Sequence, residues 1–161
     1  MAEMVVDLLN KKFMQEGTGD FGKCQTKQLP ISGGEVGGSK KLEKFIEEKT
    51  RAGVELGLTN KQARKLAKLY GSNVDTLHSY IIKHRNEAIK VGLPLHMYAQ
   101  VIYAMKQEMV VTPIDFFSRR TGALLFNIES VKQWKINVTE LMAQELKWSP
   151  DQLVKYQSEL E

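Results

Sequence analysis

Two adjacent arginines, Arg119 and Arg120, are the residues of this sequence best suited to hold an anion. A guanidinium group is planar and can make two parallel hydrogen bonds to a carboxylate or a phosphate. Neighbours on a helix point about 100° apart, so we expect one arginine to turn inward and the other to face solvent. They either clamp acids of adjacent helices, with Glu108, Asp115 and Glu140 as candidates, or contact a partner domain or a phosphorylated ligand. Periodicity alone favours the clamp.

A glycine-rich stretch, SGGEVGGSKK at 32–41, precedes a predicted helix and could place backbone amides around a phosphate. A nucleotide-binding loop needs a lysine directly after its second fixed glycine. Gly33 and Gly38 have the required spacing, but Ser39 occupies the lysine position and Lys40 comes one residue late. We therefore interpret this stretch as a flexible connector.

The residue types that usually ligate metals are scattered along the chain. His78, His84 and His96 have no cysteine or paired carboxylate at metal-site spacing, and Cys24 is the one cysteine. A single cysteine also excludes an internal disulfide. The sequence contains no nucleophile elbow, zinc motif or dinucleotide fingerprint. We predict no catalytic, cofactor-binding or metal-ligating residue within this chain.

The elements that must position these side chains are predicted to be helices. Thr59 with Gln62, and Ser149 with Gln152, have the spacing of capping boxes, and Asn73 is expected to cap a third helix. Apolar periodicity places helices at 3–15, 39–56, 59–70, 73–90, 95–109, 112–121 and 127–147, and from 149 to the end. The apolar run at 123–126 is left unassigned. The fold class is all-α.

Composition and charge are typical of one globular domain. The chain has 161 residues, 42% of them hydrophobic and 26% charged. It contains no apolar run of membrane-spanning length and no secretory signal, so we expect a cytoplasmic location. The net charge of +4 is concentrated at 39–68, where nine Lys or Arg accompany four Glu. Glutamates at helical spacing among the lysines favour a solvated helix face over a surface for nucleic acid, lipid or an acidic partner.

A helix-turn-helix at 59–85 is the alternative from a different functional class. Two predicted helices flank the turn Gly71-Ser72-Asn73, as in many DNA-binding modules. Base contacts come mainly from the N-terminal part of the second helix, yet this helix begins with Asp75 and has Lys83 and Arg85 near its far end. Two packed helices of a bundle explain the same pattern, and we expect no nucleic-acid partner.

The segment EMVVTPIDFFSRRT at 108–121 resembles a motif of the C-terminal helical domain of FAD-dependent glycerol-3-phosphate dehydrogenases and oxidases. In that family a helix ending in Glu leads through a Thr into D-hydrophobic-hydrophobic-x-R-R-T. The resemblance extends back to the L-x-x-x-Y-G pattern at 66–71 and forward into the last helices. CQTKQLPISGGEVGG at 24–38 is most similar to the alpha-glycerophosphate oxidase branch, although the family's L-P-G-G appears at 29–34 with two residues inserted.

The resemblance implies that this chain is a C-terminal fragment, inactive alone, of an enzyme that oxidises sn-glycerol 3-phosphate to dihydroxyacetone phosphate. The hydride would pass from C2 to FAD, and oxygen or a quinone would reoxidise the flavin. FAD and glycerol 3-phosphate would be held by the parent enzyme and not by this fragment. Membrane contact is not indicated, and homo-oligomer formation is left open.

The resemblance also implies a division of the chain. Residues 1–15 would be the end helix of an upstream FAD domain, 16–38 a linker, and 39–161 a helical C-terminal domain of about six helices. Arg119, Arg120 and Thr121 match the family motif position by position. Our hypothesis is that they fix the geometry of the helical domain and its docking on the FAD domain.

Overall fold

The protein is built from α-helices. The computed structural model describes residues 2–19 and 21–160, and within these ranges it contains nine α-helices, two 3-10 turns, one π-helix and no strand. The prediction of an all-α fold is confirmed. None of the helices in the described ranges is long and apolar enough to cross a membrane.

The helices are numbered along the chain. They are α1 (Ala2–Gln15), α2 (Leu42–Glu55), α3 (Asn60–Tyr70), α4 (Val74–Lys83), α5 (Arg85–Val91), α6 (Leu95–Gln107), α7 (Ala123–Phe126), α8 (Ile128–Leu146) and α9 (Pro150–Ser158). The 3-10 turns are Ser39–Lys41 and Gly71–Asn73, and the π-helix is Asp115–Arg120. The chain divides into two compact units, residues 1–32 and 33–161, which are described separately.

The first unit consists of α1 and the loop that follows it. Asn10 ties the loop to the helix, because its Oδ1 accepts from the backbone N–H of Phe21 at 3.0 Å. The ring of Phe13 meets that of Phe21 edge-on, with 5.7 Å between centroids. The predicted helix is present, yet none of its described residues is buried.

The second unit is organised around α6. Eight of its 13 residues are buried, and they face two apolar clusters. Ala99 and Tyr103 join a cluster built mainly from α3 and α4, whereas Val101 and Ile102 join one built from the π-helix and α8. Burying apolar surface on both sides of one helix joins the two halves of the unit.

Both predicted capping boxes are present. The backbone N–H of Gln62 donates to Thr59 Oγ1 at 3.3 Å, and that of Thr59 donates to Gln62 Oε1 at 2.9 Å. Ser149 and Gln152 repeat these two bonds at the start of α9. Each box satisfies two backbone donors that a helix leaves unpaired at its N-terminus.

The start of the second unit is fixed by a close approach of two glycines. The carbonyl of Gly33 accepts a hydrogen bond from Ser72 N–H at 3.0 Å. A Cβ at Gly71, whose φ is +52°, would lie 2.0 Å from that carbonyl oxygen. The glycine that was predicted to end α3 therefore also leaves room for the incoming chain.

Two predictions for the segment at 73–90 were wrong: one concerned the boundaries of the helix and the other its N-terminal cap. The helix predicted at 73–90 is two helices, because the backbone leaves the helical conformation at His84, with φ −117° and ψ 26°. Arg85 beyond the break donates to the carbonyl of Leu56 at 2.5 Å. Asn73 precedes α4 without capping it, since its side chain is hydrogen-bonded to Tyr103 instead.

The segment at 112–126 also departs from the prediction. The short helix expected at 112–121 is a π-helix from Asp115 to Arg120, and the unassigned run at 123–126 forms α7. The N–H of Thr121 donates to the carbonyl of Phe116, five residues back, at 3.0 Å. Such wide turns are rare and often mark functional segments.

Candidate functional site

The Arg-Arg-Thr segment is held in place from within by two phenylalanines. Phe116 and Phe117 are fully buried, and their rings meet edge-on with 5.2 Å between centroids. The segment begins at Thr112, whose Oγ1 accepts from Asp115 N–H at 3.3 Å. Burying two aromatic rings fixes the π-helix and leaves its remaining positions at the surface.

Both arginines are exposed, so the prediction that one of them turns inward was wrong. Phe116 and Phe117 already occupy the inward positions of the π-helix. Arg119 pairs with Asp115 one turn back, at 2.7 Å, and its side chain is 77% exposed. The expected clamp onto an acid is present here, in a solvated form that contributes little stability.

Arg120 makes the more structured contact. One of its Nη atoms donates to the backbone carbonyl of Glu108 at 2.9 Å, and its Nε lies 3.7 Å from the carboxylate of the same residue. Arg120 thereby links the π-helix to the end of α6. Of the three predicted acids, Glu108 and Asp115 are used, and Glu140 takes part in neither arginine's recorded ion pair within the described ranges.

Thr121 holds the turn that follows the arginines. Its hydroxyl lies 3.0 Å from the carbonyl of Phe116 and 3.2 Å from that of Phe117, and it accepts from Ala123 N–H at 3.3 Å. These bonds replace the contacts that the backbone loses between the π-helix and α7. Thr121 also lines a cleft beside the segment.

The cleft lies among α3, α6, the π-helix and the start of α8, and has a volume of about 190 Å³. Its lining residues combine an apolar floor with polar and basic walls: Lys61, Gln62, Lys65, Leu66, Leu69, His96, Met97, Gln100, Phe117, Thr121, Ala123, Asn127 and Ser130. No Asp or Glu is among them. No local pattern in the sequence predicts this cleft, because its walls come from segments up to about seventy residues apart.

His96 is a titratable group in the wall of the cleft. Burial, helped by the positive charge of Lys65, lowers the pKa of His96 to about 4. Its Nδ1 is buried and has no hydrogen-bond partner within the part of the chain that the structure describes. The imidazole is therefore neutral near pH 7.

A residue of the cleft wall, Gln100, is hydrogen-bonded to a buried tyrosine. Gln100 donates through Nε2 to the hydroxyl of Tyr70 at 3.3 Å. Burial raises the pKa of Tyr70 to about 12, although the bond from Gln100 opposes this rise. The tyrosine is therefore an uncharged structural group at physiological pH.

The histidines, Cys24 and the glycine-rich stretch do not converge on a metal or nucleotide site. Among residues 2–19 and 21–160 no three His, Cys, Asp or Glu side chains are grouped as metal ligands. Cys24 is exposed. Burial lowers the pKa of His78, whereas the ring of His84 packs between those of Tyr80 and Tyr98 at 6.2 and 6.0 Å. The backbone of Gly33 packs closely against Gly71.

The architecture is that of an all-α domain whose Arg-Arg-Thr segment and cleft occupy one side of a central helix. The family model for the C-terminal domain of alpha-glycerophosphate oxidase matches residues 24–153. The chain therefore belongs to the family of the C-terminal domain of alpha-glycerophosphate oxidase, as the resemblance in the sequence indicated.

Relatives and a solved structure agree with this assignment. The chain is 45% identical over 148 residues to the aerobic glycerol-3-phosphate dehydrogenase of Bacillus subtilis, covering 92% of this chain and 27% of the relative. It is 42% identical to the enzyme of the same name from Staphylococcus haemolyticus, covering 99% of this chain and 28% of the relative. The crystal structure of the glycerol-3-phosphate dehydrogenase from Bacillus halodurans, complexed with FAD, matches 99% of this chain and 31% of its own, with TM-score 0.85 and 42% identity.

The chain thus spans under a third of the length of these relatives. The comparisons give no support to the helix-turn-helix alternative at 59–85. Its two helices, α3 and α4, instead contribute Leu66, Val74 and Leu77 to one apolar cluster around α6.

Proposed function

We propose that this chain is the C-terminal part of a flavoenzyme that oxidises sn-glycerol 3-phosphate to dihydroxyacetone phosphate. The observation that carries the proposal is the likeness over 99% of the chain to a glycerol-3-phosphate dehydrogenase complexed with FAD. FAD would accept the hydride from C2 of the substrate, and oxygen or a quinone would take the electrons onward. A cytoplasmic location is part of this proposal.

The cleft beside Thr121 is too small to hold FAD. The cleft beside Thr121, at about 190 Å³, is smaller than the roughly 300–1,000 Å³ typical of sites for drug-sized ligands. The glycine-rich stretch at 32–41 lacks the lysine of a phosphate loop, and Gly33 is engaged with the turn at Gly71. FAD would therefore be bound by an upstream domain of the same polypeptide, and we assign the site of substrate oxidation to that domain as well.

The role that we assign to this chain is docking on and supporting that upstream domain. Residues 1–15 would be the end helix of the FAD domain, 16–38 the linker and 39–161 the supporting helical domain. The helix α1 exposes Val5, Leu8 and Leu9, as expected of a helix whose apolar side packs on another part of the protein. In the second unit, Arg119, Arg120 and Thr121 would present a fixed polar surface for the same purpose.

A chimeric enzyme tests the proposal. This chain would replace the matching C-terminal part of the Bacillus subtilis dehydrogenase, and a truncated form without that part would serve as control. We expect the chimera to retain FAD, seen by flavin absorbance, and to oxidise glycerol 3-phosphate faster than the truncated form. A folded chimera that holds FAD but is no more active than the truncated form would contradict the proposal.

The docking role of the arginines is tested in the same chimera. Arg119→Ala and Arg120→Ala are compared with Lys132→Ala, which removes an exposed ion pair with Glu129 on α8. We expect the arginine variants to lower the melting temperature of the chimera or to raise its KM, and the control to leave both unchanged. Unchanged stability, domain association and substrate affinity in both arginine variants would refute the docking role.

A further inference from the structure

The cleft beside Thr121 has a positive electrostatic character. Lys61 and Lys65 lie one turn apart on α3 and both line it. The remaining lining residues contribute no carboxylate that could neutralise them. A concave surface with two cations and no acid attracts anions more strongly than the same charges on a convex face.

The wall opposite the lysines offers hydrogen-bonding groups. His96 and Gln100 lie on α6, Asn127 immediately before α8 and Ser130 in its first turn, and all four line the cleft. The imidazole of His96 is part of the cleft wall, and a neutral imidazole carries a proton on one ring nitrogen that it can donate to an anion.

The floor of the cleft is apolar and limits the size of the ligand. Leu66, Met97 and Phe117 form part of it. The volume of about 190 Å³ is slightly larger than the roughly 150 Å³ engineered cavity that binds benzene in another protein. A tetrahedral oxyanion with a few carbon atoms would fit, whereas a nucleotide would not.

We propose that this cleft binds a phosphate group, either as free phosphate or as the head of a small phosphomonoester, with Lys61 and Lys65 supplying charge and His96 a hydrogen bond. Phosphate matches the cleft because its oxygens accept several hydrogen bonds at once and carry up to two negative charges. The site lies wholly within residues 61–130 of the second unit. It does not depend on the proposed enzymatic role of the whole polypeptide.

The test is a titration of the 161-residue chain followed by NMR of the histidine side chains, with His96→Gln used to assign the signals of His96. Inorganic phosphate and glycerol 3-phosphate are the two ligands, and acetate and glycerol are the controls. We expect a saturable shift of the His96 signals with one or both phosphates. The bound anion is also expected to raise the pKa of His96, because it offsets the positive charge of Lys65 that helps to lower this pKa.

Charge variants localise the binding. Lys61→Gln and Lys65→Gln are each expected to weaken phosphate binding about 10-fold, as removal of a charge-assisted hydrogen bond does. Lys44→Gln, which removes one positive charge from α2 outside the cleft, is expected to leave the affinity unchanged. Circular dichroism of each variant checks that the helices are retained.

Each outcome decides one question. Equal affinity for both phosphates identifies free phosphate as sufficient, and tighter binding of glycerol 3-phosphate identifies a phosphomonoester. Absence of a saturable shift at millimolar phosphate, equally tight binding of acetate, or equal weakening by Lys44→Gln would overturn the proposal. These results leave the chimera experiment untouched, so the two proposals can fail separately.

Discussion

Helices α1 and α6 are nearly equal in length, at 14 and 13 residues, and both are rich in apolar side chains. In α6 eight residues are buried between two clusters, whereas α1 buries none of its described residues. An apolar stripe predicts that a helix forms, but it does not specify the surface that covers it. The contrast separates a helix that is buried within its own unit from one that its own unit leaves exposed.

Truncating one leucine to alanine in each of the two units should give the largest difference in the free energy of unfolding. Leu66→Ala on α3 removes a side chain that is 1% exposed and should reduce the free energy of unfolding by about 2–5 kcal/mol. Leu8→Ala on α1, where the side chain is 59% exposed, should change it by less than about 0.5 kcal/mol. Urea unfolding of both variants measures the contrast, and equal losses would show that α1 is covered within this chain.

The loss of folding stability at acid pH should arise in the second unit, because all three histidines lie there. The pKa of His96 is lowered to about 4 in the folded chain, against about 6.5 when unfolded. Between these values the unfolded state binds the proton and the folded state does not, so stability is lost as pH falls from 6.5 to 4. The loss approaches about 3 kcal/mol.

Chemical unfolding between pH 7 and pH 4 checks this slope. His96→Gln should flatten it, because glutamine does not titrate. An unchanged slope in this variant would assign the acid sensitivity to other groups, such as His78, whose pKa is also lowered by burial.

Two glycines with positive φ extend the comparison to the backbone. Gly71→Ala places a Cβ 2.0 Å from the carbonyl of Gly33 and should destabilise the chain by about 1–3 kcal/mol or more. Gly22→Ala in the first unit has φ +70° and no atom within 4 Å of the added Cβ, so its cost should be limited to about 1 kcal/mol of backbone strain. Thermal unfolding compares them, and a larger cost at Gly22 would be inconsistent with the packing described.

The smallest effect is expected within the arginine pair. Arg120→Ala loses the bond to the carbonyl of Glu108 and should cost about 1 kcal/mol, because the side chain is partly exposed. Arg119→Ala loses a solvated pair with Asp115 and should cost about 0.3–0.5 kcal/mol. Salt should reduce the effect at Arg119 more than at Arg120, and the reverse order would contradict the geometry.

Local signals in the sequence were sufficient for much of the fold. The capping boxes at Thr59 and Ser149 and the end of α3 at the turn that begins with Gly71 are encoded within a few residues, and the structure contains them. The break at His84 was missed because it depends on long-range contacts, including that of Arg85 with Leu56. The apolar period continues across the break and gives no sign of it.

The candidate site was predictable only in part. The acids paired with the arginines were anticipated because Asp115 and Glu108 lie within 12 residues of them in sequence. The orientation of the two arginines was not anticipated, because an α-helical period was assumed where the chain forms a π-helix. The cleft joins Lys65, His96 and Thr121 from three separate elements, and no local pattern connects them.

The contact between Gly33 and the turn at Gly71 also bears on how a change in the length of the preceding segment would be accommodated. The resemblance described in the sequence analysis implies two inserted residues within 29–34. Ile31 in this interval is 87% exposed, and the fixed backbone contact begins two positions later. Insertions and deletions before Gly33 can therefore accumulate during evolution without displacing any helix that follows.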